Sequence, residues 1–155
     1  MNNNDVLRSV RYMLDLGDVR ALEMFELGGV TLDKATLTEM SKKEDEAGFI
    51  ALGDSQLSFF LDGLIAKRRG VREGAPAPEK VDRITNNLIL KKLRIAFELK
   101  EEDVISIFDA AGFSMSKPEV SALFRRPDQK NYRNCGDQVL RYFLKGLTLR
   151  VRGGA

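Results

Sequence analysis

Few residues in this chain have the types and spacing for covalent or metal chemistry. There is one cysteine, Cys135, and no histidine, so the commonest general base and the commonest transition-metal ligand are both missing. Cys135 precedes Gly136-Asp137, where a helix is predicted to start, and a helix N-terminus can lower a thiol pKa. Two carboxylate runs, Glu44-Asp45-Glu46 and Glu101-Glu102-Asp103, are the remaining candidates for acid–base work or Mg²⁺ ligation. The second run also complements the positive end of a helix, and the first reads as a polar loop. There is no Gly-rich phosphate loop of the Walker or dinucleotide type and no Cys/His metal spacing. The expectation is therefore a chain without catalytic residues, metal ligands or cofactor.

The richer set is cationic. Residues 1–70 carry nine Lys or Arg against twelve Asp or Glu, whereas residues 86–155 carry thirteen against eight, so a modest overall charge of +2 hides a basic second half. Arg125, Arg126, Lys130, Arg133, Arg141, Lys145, Arg150 and Arg152 form the candidate anion- or nucleic-acid-binding set, with Tyr132 and Tyr142 placed among them for base stacking. Cations at helix C-termini also compensate the helix dipole, which explains part of the set without any ligand.

The elements that would position these residues repeat. The pattern Gly-Asp-x-x-Leu-x-x-Phe-Leu-x-Gly-Leu at Gly53 to Leu64 recurs at Gly136 to Leu147, and an ungapped offset of 83 pairs Asn3-Asn4 with Asn86-Asn87, Arg11 with Arg94, Phe25 with Phe108 and Gly70 with Gly153. An internal repeat with helical phase preserved marks a duplicated supersecondary unit. Within the first copy, Val6, Leu7, Val10, Met13 and Leu14 follow the spacing of one helical face, which predicts a helix from about Asn4 to Leu16 with Asn3 or Asn4 as its cap. A second helix spans about Asp18 to Leu27, a third is capped by Asp33, and a fourth runs from Gly53-Asp54 to Lys67-Arg68-Arg69. A short extra turn is expected near Phe49 and Tyr132.

The expected fold is all-α: two tandem units of four to five helices, residues 1–70 and 86–155, related by pseudo-two-fold symmetry. A Pro/Gly-containing linker over residues 71–85, with Gly74-Ala75-Pro76-Ala77-Pro78 at its centre, joins them. A unit of this size buries only about 60% of its unfolded surface, which favours packing of the copies together or a homodimer. Gly63 and Gly146, inside predicted helices, mark close helix crossings, with a ligand over exposed backbone as the other reading. Helix capping explains one Asn of each pair and leaves the other unexplained, and a binding clamp of Asn3-Asn4 and Asn86-Asn87 brought together by pseudo-symmetry is the other reading. Arg11 and Arg94 have acids at i+4, Asp15 and Glu98, for intrahelical pairs, with Asp54 or Asp137 as alternative partners. Residues 102–126 resemble a helix-turn-helix, with Lys117, Glu119, Ser121, Arg125 and Arg126 facing out as a DNA reader would require; the turn is long, and packing explains the motif first.

Several separated stretches occur together and in order: Met1-Asn2-Asn3-Asn4-Asp5-Val6-Leu7-Arg8, Phe60-Leu61-Asp62-Gly63-Leu64, Thr85-Asn86-Asn87, Ser121-Ala122-Leu123-Phe124-Arg125 and Asn131-Tyr132-Arg133-Asn134-Cys135-Gly136-Asp137. On these the chain resembles the YehS-like family, small bacterial proteins built from two copies of a domain of unknown function. The resemblance covers nearly the whole chain and implies a bacterial cytosolic protein, and it brings no activity to any residue. With no leader-like start and no apolar run long enough for a bilayer, a cytoplasmic protein away from membranes is expected. The function expected first is a non-enzymatic binding or adaptor protein, its partner either a protein or nucleic acid. Nucleic-acid binding through the basic second copy is the alternative, and a carboxylate-dependent enzyme is the remote third.

Overall fold

The computed structural model describes residues 1–70 and 80–153. The centre of the predicted linker, Gly74 to Pro78, lies outside the described residues. Every regular element among them is a helix: α1 (Asn3–Leu14), α2 (Asp18–Gly28), α3 (Lys34–Met40), α4 (Asp54–Arg69), α5 (Asn86–Ala96), α6 (Glu101–Ala110), α7 (Lys117–Leu123) and α8 (Asp137–Arg152). They form two compact units, Met1–Ile84 and Thr85–Ala155, each with one long closing helix, α4 or α8. The short extra turn expected near Phe49 and Tyr132 is present, without a fifth helix in either unit among the described residues. Each loop has two successive hydrogen-bonded turns, Glu46 N to Lys43 O and Phe49 N to Glu46 O in the first, Gln129 N to Arg126 O and Tyr132 N to Gln129 O in the second.

The helix starts differ from the expectation by one or two residues, and the difference matters. Asn2 caps α1 through a reciprocal box: its side chain accepts from Asp5 N (2.8 Å) and the Asp5 carboxylate accepts from Asn2 N (2.9 Å). In the second unit Thr85 caps α5 by accepting from Leu88 N (3.1 Å). Asn3-Asn4 and Asn86-Asn87 are therefore not caps; they sit inside the first turn of their helices, with side chains free to reach elsewhere. The predicted end at Leu16 also moves back. Asp15, and Glu98 in the second unit, take the left-handed conformation (φ 52° at both), which turns the chain sharply into the next helix.

Each core is built from the predicted apolar faces. In the first unit Leu7, Val10, Phe25, Leu37, Leu57, Phe60 and Leu61 are essentially inaccessible, and Leu90, Leu93, Phe108, Val120, Leu140, Phe143 and Leu147 do the same in the second. Burial of each such side chain stabilises by about 1.5–3 kcal/mol relative to exposure. The central aromatic pairs correspond across the repeat, Phe25 with Phe60 at 4.8 Å between centroids and Phe108 with Phe143 at 5.6 Å.

The interior glycines serve helix crossing. A Cβ on Gly63 would stand 1.7 Å from the Met24 carbonyl oxygen, and one on Gly146 would stand 1.9 Å from that of Ile107. The last helix of each unit thus crosses the second with backbone against backbone, leaving no room there for a ligand. In the first unit Gly28 adds a second point of approach, its Cβ direction meeting Phe59 O at 1.7 Å; the second unit has Ala111 at that place.

Candidate binding site

The repeated polar residues are occupied within the fold. Asn4, only 1% exposed, donates through Nδ2 to Met40 O (2.8 Å) and Ile50 O (2.9 Å), and its Oδ1 accepts from Leu52 N (3.0 Å). Asn87 repeats all three bonds with Leu123 O, Arg133 O and Cys135 N at 3.0, 2.9 and 2.9 Å. One amide thereby satisfies three backbone groups of the otherwise irregular segment before the last helix. The neighbouring Asn completes the clasp: Asn3 donates to Leu52 O (3.0 Å) and Asp54 Oδ1 (2.7 Å), and Asn86 donates to Cys135 O (3.0 Å) and Asp137 Oδ1 (2.8 Å). The Asn86 bond holds the Asp137 carboxyl below its ordinary pKa. The Asn pairs are thus intra-unit ties, which accounts for the residue that capping left over.

Cys135 belongs to the same tie. It is 2% exposed, and burial pushes its thiol up to about 11, opposite to the shift an activated nucleophile needs. Asp54 and Asp137, held by Asn3 and Asn86, are not the partners of Arg11 and Arg94, and neither are the i+4 acids. Arg11 donates to Leu16 O (3.1 Å), Ser41 Oγ (2.8 Å) and Asp18 Oδ1 (2.8 Å). The left-handed turn at Asp15 removes that acid from the helix face. Arg94 keeps the bond to Leu99 O (2.9 Å), but its guanidinium lies 4.6 Å over the Phe124 ring, since Phe124 replaces Ser41 and a cation favours an aromatic face.

The acidic runs are likewise engaged. Glu46 accepts from Lys43 N (2.9 Å), Glu101 accepts from the Ser121 hydroxyl (2.7 Å), and Asp103 accepts from Lys100 N (2.8 Å) and Arg150 (3.0 Å). Among the described residues no group of three His, Cys, Asp or Glu is gathered as a metal site. Helix α7, the reading helix of the predicted helix-turn-helix, has seven residues, with Val120 and Leu123 turned inward. Two of its polar side chains are engaged within the unit: Ser121 bonds Glu101 and Glu119 pairs with Arg133 at 3.5 Å, while Lys117 is exposed.

The cationic set divides. Arg125, Arg126, Lys130 and Arg133 are exposed in the loop before α8, where Arg125 donates to Lys130 O (3.4 Å) and Arg126 lies 3.8 Å from Asp128. On α8 itself Arg141, Lys145 and Arg152 are exposed and fall within an arc of about 40° at 100° per residue, beside the exposed Leu149. Arg150 is turned about 160° from Arg152 and is held by Asp103 at 3.0 Å, so it does not share that ridge. Tyr142 is no free stacking platform: its ring lies parallel on Phe113, with centroids 4.7 Å apart. The corresponding face of α4 differs in kind, because Ser58, equivalent to Arg141, is fully buried and Asp62 takes the place of Lys145.

The two units correspond to a known pattern. The family described as a protein of unknown function, DUF1456, matches residues 3–70 and again residues 86–153. The chain belongs to this family. It is 49% identical over 150 residues to the uncharacterized protein YehS of Escherichia coli (strain K12), which covers 97% of this chain and 96% of that protein. No solved structure matches. The resemblance read from the Asn, Gly-Asp and Cys motifs is thus that of a YehS-like tandem repeat. Within it the two DUF1456 copies keep the Asn clasp and the glycine crossing, and they differ on the surface of the last helix. No helix among the described residues is long and apolar enough to cross a membrane.

Proposed function

We propose that this DUF1456 chain is a non-enzymatic cytosolic binding protein whose second copy presents the partner-facing surface. One observation carries the reading: Arg141, Lys145 and Arg152 project from one exposed arc of α8 with Leu149 beside them, while the equivalent positions in the first copy are the buried Ser58, the acidic Asp62 and Arg69. A ridge of cations with an exposed leucine suits an acidic protein surface, where charge steers the encounter and apolar burial holds it. Binding of fluorescent polyglutamate and of short single- and double-stranded oligonucleotides, each across a salt series, tests this. The expected result is polyglutamate binding that is lost in the paired Arg141→Glu and Lys145→Glu variant. Turnover of a panel of phosphoesters, esters or glycosides, abolished by a single carboxylate substitution, would overturn the non-enzymatic reading.

A second reading, nucleic-acid binding, draws support from Arg125, Arg126, Lys130 and Arg133 in the loop that leads into α8. It requires an oligonucleotide affinity that falls steeply with salt and a salt slope that shrinks as those loop cations are neutralised. The engaged α7 side chains and the stacked Tyr142 place it second.

A further inference from the structure

The first unit has an open cleft of about 400 Å³ where the ends of α1, α2 and α4 meet. Its floor is apolar, formed by Leu14, Met24 and Leu64, and its rim has Arg20, Lys67 and Arg68 against one carboxylate, Glu23, which Lys67 contacts at 2.6 Å. The volume falls within the range of small-molecule sites, which are mainly apolar with a few orienting polar groups.

The second copy sets different residues at this place. Arg20 corresponds to Asp103, Lys67 to Arg150, and Leu14 to the larger Phe97. Asp103 and Arg150 join at 3.0 Å, tying the second helix of that unit to its last. In the first unit Lys67 instead ties α4 to α2 through Glu23 at 2.6 Å, and Arg20 sets a cation where the second unit has Asp103. The third position of the second helix also has a helix-forming role: Asp103 Oδ2 accepts from the N-cap amide of Lys100 at 2.8 Å. Arg20 stands at that position in α2, after an N-cap, Gly17, that makes no side-chain cap bond, and it sets a cation at the positive end of the helix dipole. The first copy thus lacks the capping carboxylate and makes its cross-helix ion pair one turn further along α2, at Glu23, which leaves Arg20 on a cationic rim over an apolar floor.

We propose that this cleft binds a small anionic amphiphile, a carboxylate or phosphate head on a short aliphatic chain, with the chain on Leu14, Met24 and Leu64 and the head at Arg20 and Lys67. The inference stands on residues of the first copy alone and is independent of the α8 ridge.

Titration calorimetry on the full chain tests it with octanoate, octyl phosphate and octanol, all kept below self-association. Octanoate, octyl phosphate or both are expected to bind at least about tenfold more tightly than octanol, and which head is preferred distinguishes a carboxylate ligand from a phosphate ligand. Arg20→Asp recreates the arrangement of the second copy, so it is expected to weaken binding at least about tenfold while raising the unfolding midpoint. Leu14→Phe should also lose binding, by filling the floor, and Arg141→Glu should leave it unchanged. Equal affinity for octanol, unaltered binding in Arg20→Asp, or association with anionic phospholipid vesicles but with neither soluble anion would each overturn the proposal.

Discussion

The two copies of this protein share what holds the backbone and differ in what faces outward. The Asn4 and Asn87 clasps match bond for bond, and Gly63 and Gly146 mark the same crossing. Arg11 and Arg94, in contrast, share one backbone bond and then part, one to Ser41 and Asp18, the other to the face of Phe124. A three-point amide bond and a backbone crossing admit almost no substitute, whereas a surface guanidinium finds new partners at little loss. Divergence reaches buried positions too, such as Ser58 against Arg141, but the divergent exposed positions are the ones where distinct binding roles can arise.

That comparison can be broken most sharply at the crossings. Gly63→Ala and Gly146→Ala each drive a methyl into a carbonyl at under 2 Å, and each is expected to destabilise its unit by about 3 kcal/mol or more, read from urea unfolding. Gly28→Ala should also destabilise the first unit, although the second tolerates Ala111 at that place; a neutral result would mean that the two crossings are interchangeable.

The clasps come next. Asn4→Leu and Asn87→Leu each strand two carbonyls and one amide, at an expected loss of roughly 2–4 kcal/mol. Asn87, at 9% exposed against 1% for Asn4, should show the smaller loss because water reaches it. Near-native stability of Asn4→Asp, which keeps the accepted bond and loses both donated ones, would remove the case for the donated bonds.

Smaller effects probe what belongs to the second copy alone. A double-mutant cycle on Phe113 and Tyr142 is expected to give a coupling of about 1 kcal/mol, with little coupling between Val30 and Phe59, their counterparts. Asp103→Asn should remove a few tenths of a kcal/mol, roughly that of a half-exposed ion pair. The bond from Lys100 N, followed by the pairing with Arg150, holds the Asp103 carboxyl below its ordinary value. A depressed folded pKa contributes fully above the unfolded carboxylate pKa and is lost as pH falls through the lower folded value. The gap between native protein and Asp103→Asn should therefore be constant at neutral pH and close on acidification.

Much of this architecture was legible in the sequence. The offset of 83, the apolar spacing and the Gly-Asp starts fixed the helix order, the repeat and the inward faces, because periodicity records burial directly. The Asn pairs were misread as caps because Asn2 and Thr85, one position earlier in each copy, fill that role, and a bond from Asn4 to Leu52 leaves no local trace. Arg11 was assigned to Asp15 because helical spacing holds only while the helix continues, and the left-handed turn ends it. The cleft has one trace in the sequence: Arg20, the counterpart of Asp103, stands at a position where helices favour an acid. The cationic set was found as a composition; only its angular spread around α8 separates Arg150 from Arg141, Lys145 and Arg152.

The Asn clasp also sets an order of events during synthesis. Asn4 is among the first residues made, yet its partner amide, Leu52, comes 48 positions later, so α1 stays unlocked until the segment before α4 has emerged from the ribosome. The Asn4 clasp lies wholly within Met1–Ile84, and it can close while the second unit is still being translated, the usual course for tandem domains. The second waits for Cys135, whose amide Asn87 accepts. A message truncated before that codon would release a finished first copy attached to a second copy without its clasp, and quality-control proteases would meet the unfolded half first.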